Sequence, residues 1–292
     1  MNIVISINDL YYDICMNMLY SLKKADSDTA IHIYFLNCGN INLNLLNSLK
    51  DYCKNNLWEF TDIDVSDDER LKNMYNTFLK CKLKKHSYLY NINNYSRVLI
   101  PYILSKEIDK CLWLDADNLI LNNLKAIYET QLNSNCIGVS IFGEKFERHR
   151  STEFLFDKYN IPLSTMHFNN IILYNLKECE KIPFSDIEKL LHDSGFYMAL
   201  QDQDLYNVLY HNKKTPLAPN ANLFLYQGDY TAAVVGEDKK IYPLGNPKDG
   251  KIVSDNLKKY LVLHVCGNIK YNNRAFSYYN YITNYLPEGQ LI

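Results

Sequence analysis

Lys110-Cys111-Leu112-Trp113-Leu114-Asp115-Ala116-Asp117 is an apolar run that stops abruptly at two carboxylates. Four apolar side chains in succession read as a strand buried on both faces, the pattern of a parallel sheet covered by helices. Alternate side chains of a strand point the same way, so Asp115 and Asp117 converge at its carboxyl edge unless a turn begins there. Upstream, residues 2–7 are apolar and rich in β-branched residues, and Asn8-Asp9 ends them. Residues 13–24 then carry Ile14, Met18, Leu19 and Leu22 at helical spacing. Residues 31–36 form a second strand, closed by Cys38-Gly39-Asn40. Residues 42–53 place Leu45, Leu46 and Leu49 on one helical face, and residues 57–65 alternate as a third strand. Alternating strands and helices predict an α/β fold, with a Rossmann-like, mostly parallel sheet flanked by helices. Ligands of such sheets collect at the carboxyl ends of the strands, where the Asp pair lies. Further strands are expected at residues 136–142, 171–174 and 260–265, and a helix at 202–210. Neither a repeat nor a linker interrupts the pattern, which predicts one continuous domain.

The chain has 292 residues and a mass of 34.2 kDa, enough to bury a large core without disulfides. Its 31 basic residues against 33 acidic ones exclude a strongly basic nucleic-acid binder and an acidic tail, so no nucleic-acid partner is expected. Only 10 Gly and 8 Pro exclude collagen-like and low-complexity classes. The 25 Tyr are spread evenly and read as codon bias. The basic cluster Lys80-Cys81-Lys82-Leu83-Lys84-Lys85 reads as a solvated face. Residues 1–6 lack the basic stretch of a secretory signal, and no run reaches the ~18 apolar residues of a membrane span. The eight cysteines form no CxxC pair, and Cys111 and Cys266 lie in apolar stretches as small core residues. The expectation is a reduced, cytoplasmic protein.

Two neighbouring carboxylates repel unless a cation lies between them, and Mg²⁺ or Mn²⁺ takes such hard oxygen ligands while leaving positions for phosphate. A second segment, Leu261-Val262-Leu263-His264-Val265-Cys266-Gly267-Asn268-Ile269-Lys270, suits a diphosphate: imidazole completes a metal shell, glycine admits a close approach, and lysine supplies a point charge. In Leu200-Gln201-Asp202-Gln203-Asp204-Leu205, acidic residues open a helix, where the dipole favours them. They would present Asp202 and Gln203 to a polar substrate. In His167-Phe168-Asn169-Asn170, Asn169 either binds sugar hydroxyls or caps a turn.

Taken in order, these segments resemble glycosyltransferase family 8, the retaining enzymes that include bacterial lipopolysaccharide galactosyl- and glucosyltransferases and glycogenin. The resemblance runs from Ile3 to Lys270. Besides the segments above, Ser6-Ile7-Asn8-Asp9-Leu10-Tyr11 resembles the family's nucleotide loop. Tyr95-Ser96-Arg97-Val98-Leu99-Ile100-Pro101 resembles its arginine-bearing helix, and Asp115-Ala116-Asp117 its DxD element. The resemblance implies a GT-A fold over residues 1–270, followed by a short aromatic tail at 271–292. It implies a UDP-hexose donor bound with Mn²⁺ (or Mg²⁺) on Asp115, Asp117 and His264. Asn8, Asp9 and Tyr11 would hold the nucleoside, Gly267 and Lys270 the diphosphate. Arg97, Asp115, Ala116, Asn169, Asp202 and Gln203 would surround the donor sugar, with Asp202 and Gln203 as the catalytic pair. The chain departs from the family at Leu10, at Asn170-Ile171 in place of a small residue and glycine, and at Tyr271 in place of proline.

By the same resemblance, the acceptor is a glycan, or a lipid-linked or protein hydroxyl, as in lipopolysaccharide or polysaccharide biosynthesis. Peripheral contact with the inner membrane face is compatible with it. An amide such as Gln203 is a weak nucleophile, which favours front-face substitution over a covalent intermediate. Three alternatives stand beside this reading: a glycogenin-like self-glucosylating protein, a haloacid dehalogenase-type phosphohydrolase, and a non-catalytic nucleotide-sugar-binding module. The phosphohydrolase would place its Asp-x-Asp near the start of the domain.

Overall fold

The computed structural model describes residues 1–80, 91–141, 150–194, 198, 200–227, 232–235, 241–243 and 260–265. The fold gathers into two units, one comprising Met1–Asp9, Ile31–Leu114 and Thr130–Leu217, the other Leu10–Ala30, Asp115–Glu129 and Ala218–Ile292.

The first unit is built on a seven-stranded sheet of order β3-β2-β1-β4-β7-β6-β8. Its strands are β1 (Asn2–Ile5), β2 (His32–Asn37), β3 (Glu59–Asp64), β4 (Lys110–Leu114), β6 (Ile137–Ile141), β7 (His167–Asn175) and β8 (Lys214–Pro216). The pairs β1–β2, β1–β4, β2–β3 and β6–β8 are parallel, and β7 runs antiparallel to both β4 and β6. The mostly parallel sheet expected from the alternation is therefore present, with one inverted strand. Its central strands are buried on both faces, which is why they read as unbroken apolar runs. Val4, Tyr34, Leu36, Trp113, Val139, Ile172 and Tyr174 share one core with the helices, while Ile3, Ile5, Ile33, Phe35, Leu112 and Leu114 are fully buried in the alternate positions. β3 is the edge strand of this sheet among the described residues, and Glu59, Asp62 and Asp64 place charge on it, a standard protection against edge-to-edge association.

The helices of this unit are α2 (Leu43–Asn55), α3 (Glu69–Leu79), α4 (Asn93–Ser96), α5 (Ile100–Leu104), α7 (Arg150–Lys158), α8 (Leu176–Cys179), α9 (Phe184–Ser194) and α10 (Asp202–Leu209). Asn42 caps α2 by accepting from the Asn44 N–H at 2.8 Å, and Asp68 caps α3 by accepting from the Arg70 N–H at 2.9 Å. The polar stretch at 67–94 hides α3, whose Leu71, Met74 and Phe78 fall on one buried face. Between α4 and α5 the chain tightens into a 3-10 turn, Arg97–Leu99, just before Pro101, which cannot donate a helical hydrogen bond.

The second unit carries a five-stranded sheet of order β11-β10-β9-β12-β5. Its strands are β5 (Asn118–Ile120), β9 (Asn222–Gln227), β10 (Ala232–Val235), β11 (Ile241–Pro243) and β12 (Val262–Val265), and its helices are α1 (Tyr12–Ala25) and α6 (Lys125–Tyr128). Helix α1 packs on β5, where the Ile120 N–H donates to buried Ser21 Oγ at 2.9 Å.

Cys15, Cys38, Cys53, Cys111, Cys136 and Cys179 are buried thiols outside any disulfide. Desolvation pushes the Cys53 thiol up to about 12 and Cys38 to about 11, away from reactive thiolate. Among the described residues, no helix is long and apolar enough to cross a membrane. Residues 81–85 of the basic cluster, Cys266, Gly267, Lys270 and the tail at 271–292 lie outside the described residues.

Candidate active site

The chain turns as soon as it has passed Leu114, the end of β4, with the Asn118 N–H donating to the Asp115 carbonyl at 3.2 Å. The turn, rather than strand alternation, therefore sets the geometry of Asp115 and Asp117. Buried Ala116 sits between them, where a larger side chain would have to be housed. Strand β5 leaves this turn and pairs antiparallel with β12, with His264 opposite Asn118. That pairing brings the imidazole to carboxylates that stand about half the chain away in sequence.

One ligand atom from each of Asp115, Asp117 and His264 lies within 4.8 Å of the other two. His264 Nε2 stands 3.3 Å from Asp117 Oδ1, and both residues are buried. Ligands bound at ~2.1 Å around one octahedral ion stand roughly 3 to 4.2 Å apart, so three side chains this close need only a small contraction to share one. The donor set fits as well. Two carboxylates suit a hard divalent cation, and the imidazole turns the preference from Mg²⁺ toward a transition ion.

In the first unit, a different cluster forms around Arg97, which is only 5% exposed. Its Nη1 donates to the Asn169 carbonyl at 2.6 Å, and its Nε donates to the Asn94 carbonyl at 3.1 Å. The same Nε lies 3.3 Å from Asp202 Oδ2, forming a buried ion pair. The guanidinium also lies 4.7 Å from the centre of the Trp113 ring, at cation–π range. Asn169 Nδ2 donates to the Asp202 carbonyl at 3.1 Å and reaches its carboxylate at 3.4 Å. Arg97, Asn169 and Asp202, read from three distant segments, thus form one network, whereas Gln203 is half-buried and its carbonyl accepts from Asn207 Nδ2.

Three residues support this network that sequence reasoning did not single out. Tyr206, one turn beyond Asp202, donates to the Arg97 carbonyl at 3.0 Å, and its hydroxyl meets that of Tyr174 at 2.8 Å. Burial holds both phenols far above their usual range, so they stay neutral donors. Asp204 Oδ2 accepts from the Leu200 N–H at 2.8 Å and closes the start of α10. No sequence signal distinguishes these from ordinary core and capping residues.

Asn8 and Asp9 follow β1 in the first unit, where Asp9 Oδ1 accepts from the Asn42 N–H at 2.5 Å. Asn93 Nδ2 ties this end of β1 by donating to Ser6 Oγ at 2.8 Å and to the Ile7 carbonyl at 3.0 Å. Tyr11, in the second unit, is half-buried at the start of α1.

Comparison with known proteins gives these geometries a context. The model of glycosyl transferase family 8 matches residues 2–275. The chain belongs to this family. A family 8 glycosyltransferase is thus the enzyme whose Asp-x-Asp turn and histidine strand are described above, and family membership sets aside the haloacid dehalogenase alternative. The structure is similar to that of the galactosyltransferase LgtC in complex with donor and acceptor sugar analogues, at a TM-score of 0.69 and 18% identity, over 100% of both chains. It is similar to the glycosyltransferase GlyE of Streptococcus pneumoniae TIGR4, at 0.58 and 17%, over 96% of this chain and 59% of that one. It also resembles mouse xyloside xylosyltransferase 1, at 0.59 and 15%, over 91% of this chain and 97% of the other. At such identities the likenesses establish the GT-A fold. No curated protein matches the chain.

Proposed function

We propose that this family 8 enzyme moves glucose or galactose from a UDP-sugar to a hydroxyl of a glycan, or of a lipid-linked or protein acceptor, with retention of anomeric configuration. The catalytic region is residues 1–270, and residues 271–292 follow as a short tail. The observation that carries the reading is the convergence of Asp115, Asp117 and His264 in a chain of this family. These three side chains would hold the divalent cation that family 8 enzymes generally use, and their mixed donor set favours Mn²⁺ over Mg²⁺. A bound cation supplies positive charge to the diphosphate as the glycosidic bond breaks.

The protein's own groups do the rest. Asn8, Asp9 and Tyr11 bind the nucleoside, with Tyr11 offering a ring face to the base. Lys270 adds charge at the diphosphate, and Gly267 permits its close approach. Arg97, Ala116, Asn169, Asp202 and Gln203 contact the donor sugar. The reacting sugar gains oxocarbenium character, which the Asp202 carboxylate stabilises while its ion pair with Arg97 fixes its direction. Gln203, an amide, orients the sugar rather than attacking it. The acceptor hydroxyl then enters on the face from which UDP departs, and the departing phosphate takes its proton.

The test is UDP release across a panel of UDP-glucose, UDP-galactose and their N-acetyl counterparts, with Mn²⁺, with Mg²⁺ and with chelator. Mn²⁺-dependent release from a hexose donor is expected. Release from none of the panel, or undiminished release in chelator, would overturn the reading.

A further inference from the structure

Gln201 precedes α10 with φ 52° and ψ −112°. Its Cβ makes this a strained backbone for any residue but glycine. Among the described residues, three other non-glycine residues have positive φ: Asn133, Asn160 and Leu57. Asparagine tolerates that region, and all three are exposed in turns. Gln201, by contrast, is 5% exposed, close to the 9% of Asp202 beside it, so both lie just beneath the surface.

Capping of the helix does not account for the side chain. The Gln201 amide makes no cap hydrogen bond, and Asp204 closes the turn instead by accepting from the Leu200 N–H. The Gln201 backbone is already used, its N–H donating to the Met198 carbonyl at 3.0 Å and its carbonyl accepting from the Leu205 N–H at 2.9 Å. Yet Oε1 of Gln201 is buried without a hydrogen-bond partner, and so is Oδ1 of Asn169, whose Nδ2 holds Asp202. A buried carbonyl left unpaired is costly, and glycine here would remove both that cost and the strain.

We infer that Gln201 is a sugar-binding residue, its Oε1 accepting a hydroxyl of the transferring hexose next to Asp202. This rests on the donor reading above. Both unpartnered atoms are acceptors, and Asp202 adds a carboxylate. The chemistry they call for is a donor-rich partner, which a ring of free hydroxyls supplies.

Two variants separate this role from a structural one. Gln201→Gly relieves the backbone and deletes the amide; Gln201→Met keeps the length and the strain and deletes only the polar end. Thermal unfolding, binding of UDP and of UDP-hexose with Mn²⁺, and UDP release are measured on each and on the wild type. The expected Gln201→Gly protein melts at or above the wild-type temperature and binds UDP equally well. Both variants lose about tenfold or more in UDP-hexose affinity or kcat/KM, the loss of one well-placed hydrogen bond. A lower melting temperature for Gln201→Gly, or wild-type activity in both variants, would overturn the assignment. So would unchanged UDP-hexose binding with a fall only in transfer to acceptor, because the hydroxyl would then belong to the acceptor. Failure of the wild-type enzyme to release UDP from any donor would instead remove the donor reading, and this inference with it.

Discussion

The cluster of Asp115, Asp117 and His264 and the cluster of Arg97, Asn169 and Asp202 are both polar and largely buried, but they balance charge in opposite ways. The second contains its own cation: a guanidinium lies against the carboxylate, on an indole face and on two carbonyls. The first brings two carboxylates and an imidazole together within 4.8 Å, a set of lone pairs suited to a positive ion. A buried group paired within the protein belongs to the fold as much as to the chemistry, whereas a cluster of metal donors contributes its function when the ion arrives.

If that contrast holds, Asp117→Ala gives the largest effect on activity, a fall of about a thousandfold or more in UDP release. Its unfolding midpoint should stay near the wild-type value, since removing one of two like charges relieves repulsion. Substantial metal-dependent activity in this variant would break the comparison. Arg97→Ala should act the other way round, destabilising by about 3–5 kcal/mol in denaturant titration because Asp202 is left buried without its partner. A change near zero would mean that the pair is not structural. Tyr206→Phe removes one donor to the Arg97 carbonyl and should cost about 1 kcal/mol. Its cost should persist in an Arg97→Ala background, which keeps the main-chain carbonyl that Tyr206 binds; a cost that vanished there would mean that Tyr206 acts through the guanidinium instead.

The smallest effect concerns a half-buried lysine of the first unit. Lys214 Nζ donates to the Thr165 carbonyl at 2.6 Å and lies 3.3 Å from Nδ1 of fully buried His167, whose own pKa burial lowers. Desolvation brings Lys214 down to about 8. The folded protein therefore gives up this proton before the unfolded chain does. The penalty is fully present below pH 8 and is relieved as pH rises toward 10.5. Relative to Lys214→Met, the wild-type protein should gain stability over that window in urea titrations at stepped pH. A difference independent of pH would contradict the assignment.

Much of this was legible in the residues, and the illegible parts have physical causes. The apolar strand before Asp115 announced itself because both its faces are buried, and the opening strand–helix alternation announced the parallel sheet. Helix α10 and its acidic start were equally plain. What joins Asp115 and Asp117 to His264, however, is the three-residue β5 and its pairing with β12, too short to leave a periodic signal. Helix α3 was masked by polar residues on its outer face. The contacts of Arg97 with a main-chain carbonyl and with Trp113 depend on tertiary packing, to which spacing is blind. Gln201 was invisible for another reason: its strained φ is imposed by the surrounding fold against its own preference.

The most direct test of the account is Mn²⁺ binding in the presence of UDP, followed by electron paramagnetic resonance, for the wild type and for Asp117→Ala and His264→Ala. One tightly held Mn²⁺ per wild-type chain is expected, with loss of that ion in both variants. Equal Mn²⁺ binding by all three proteins would contradict it.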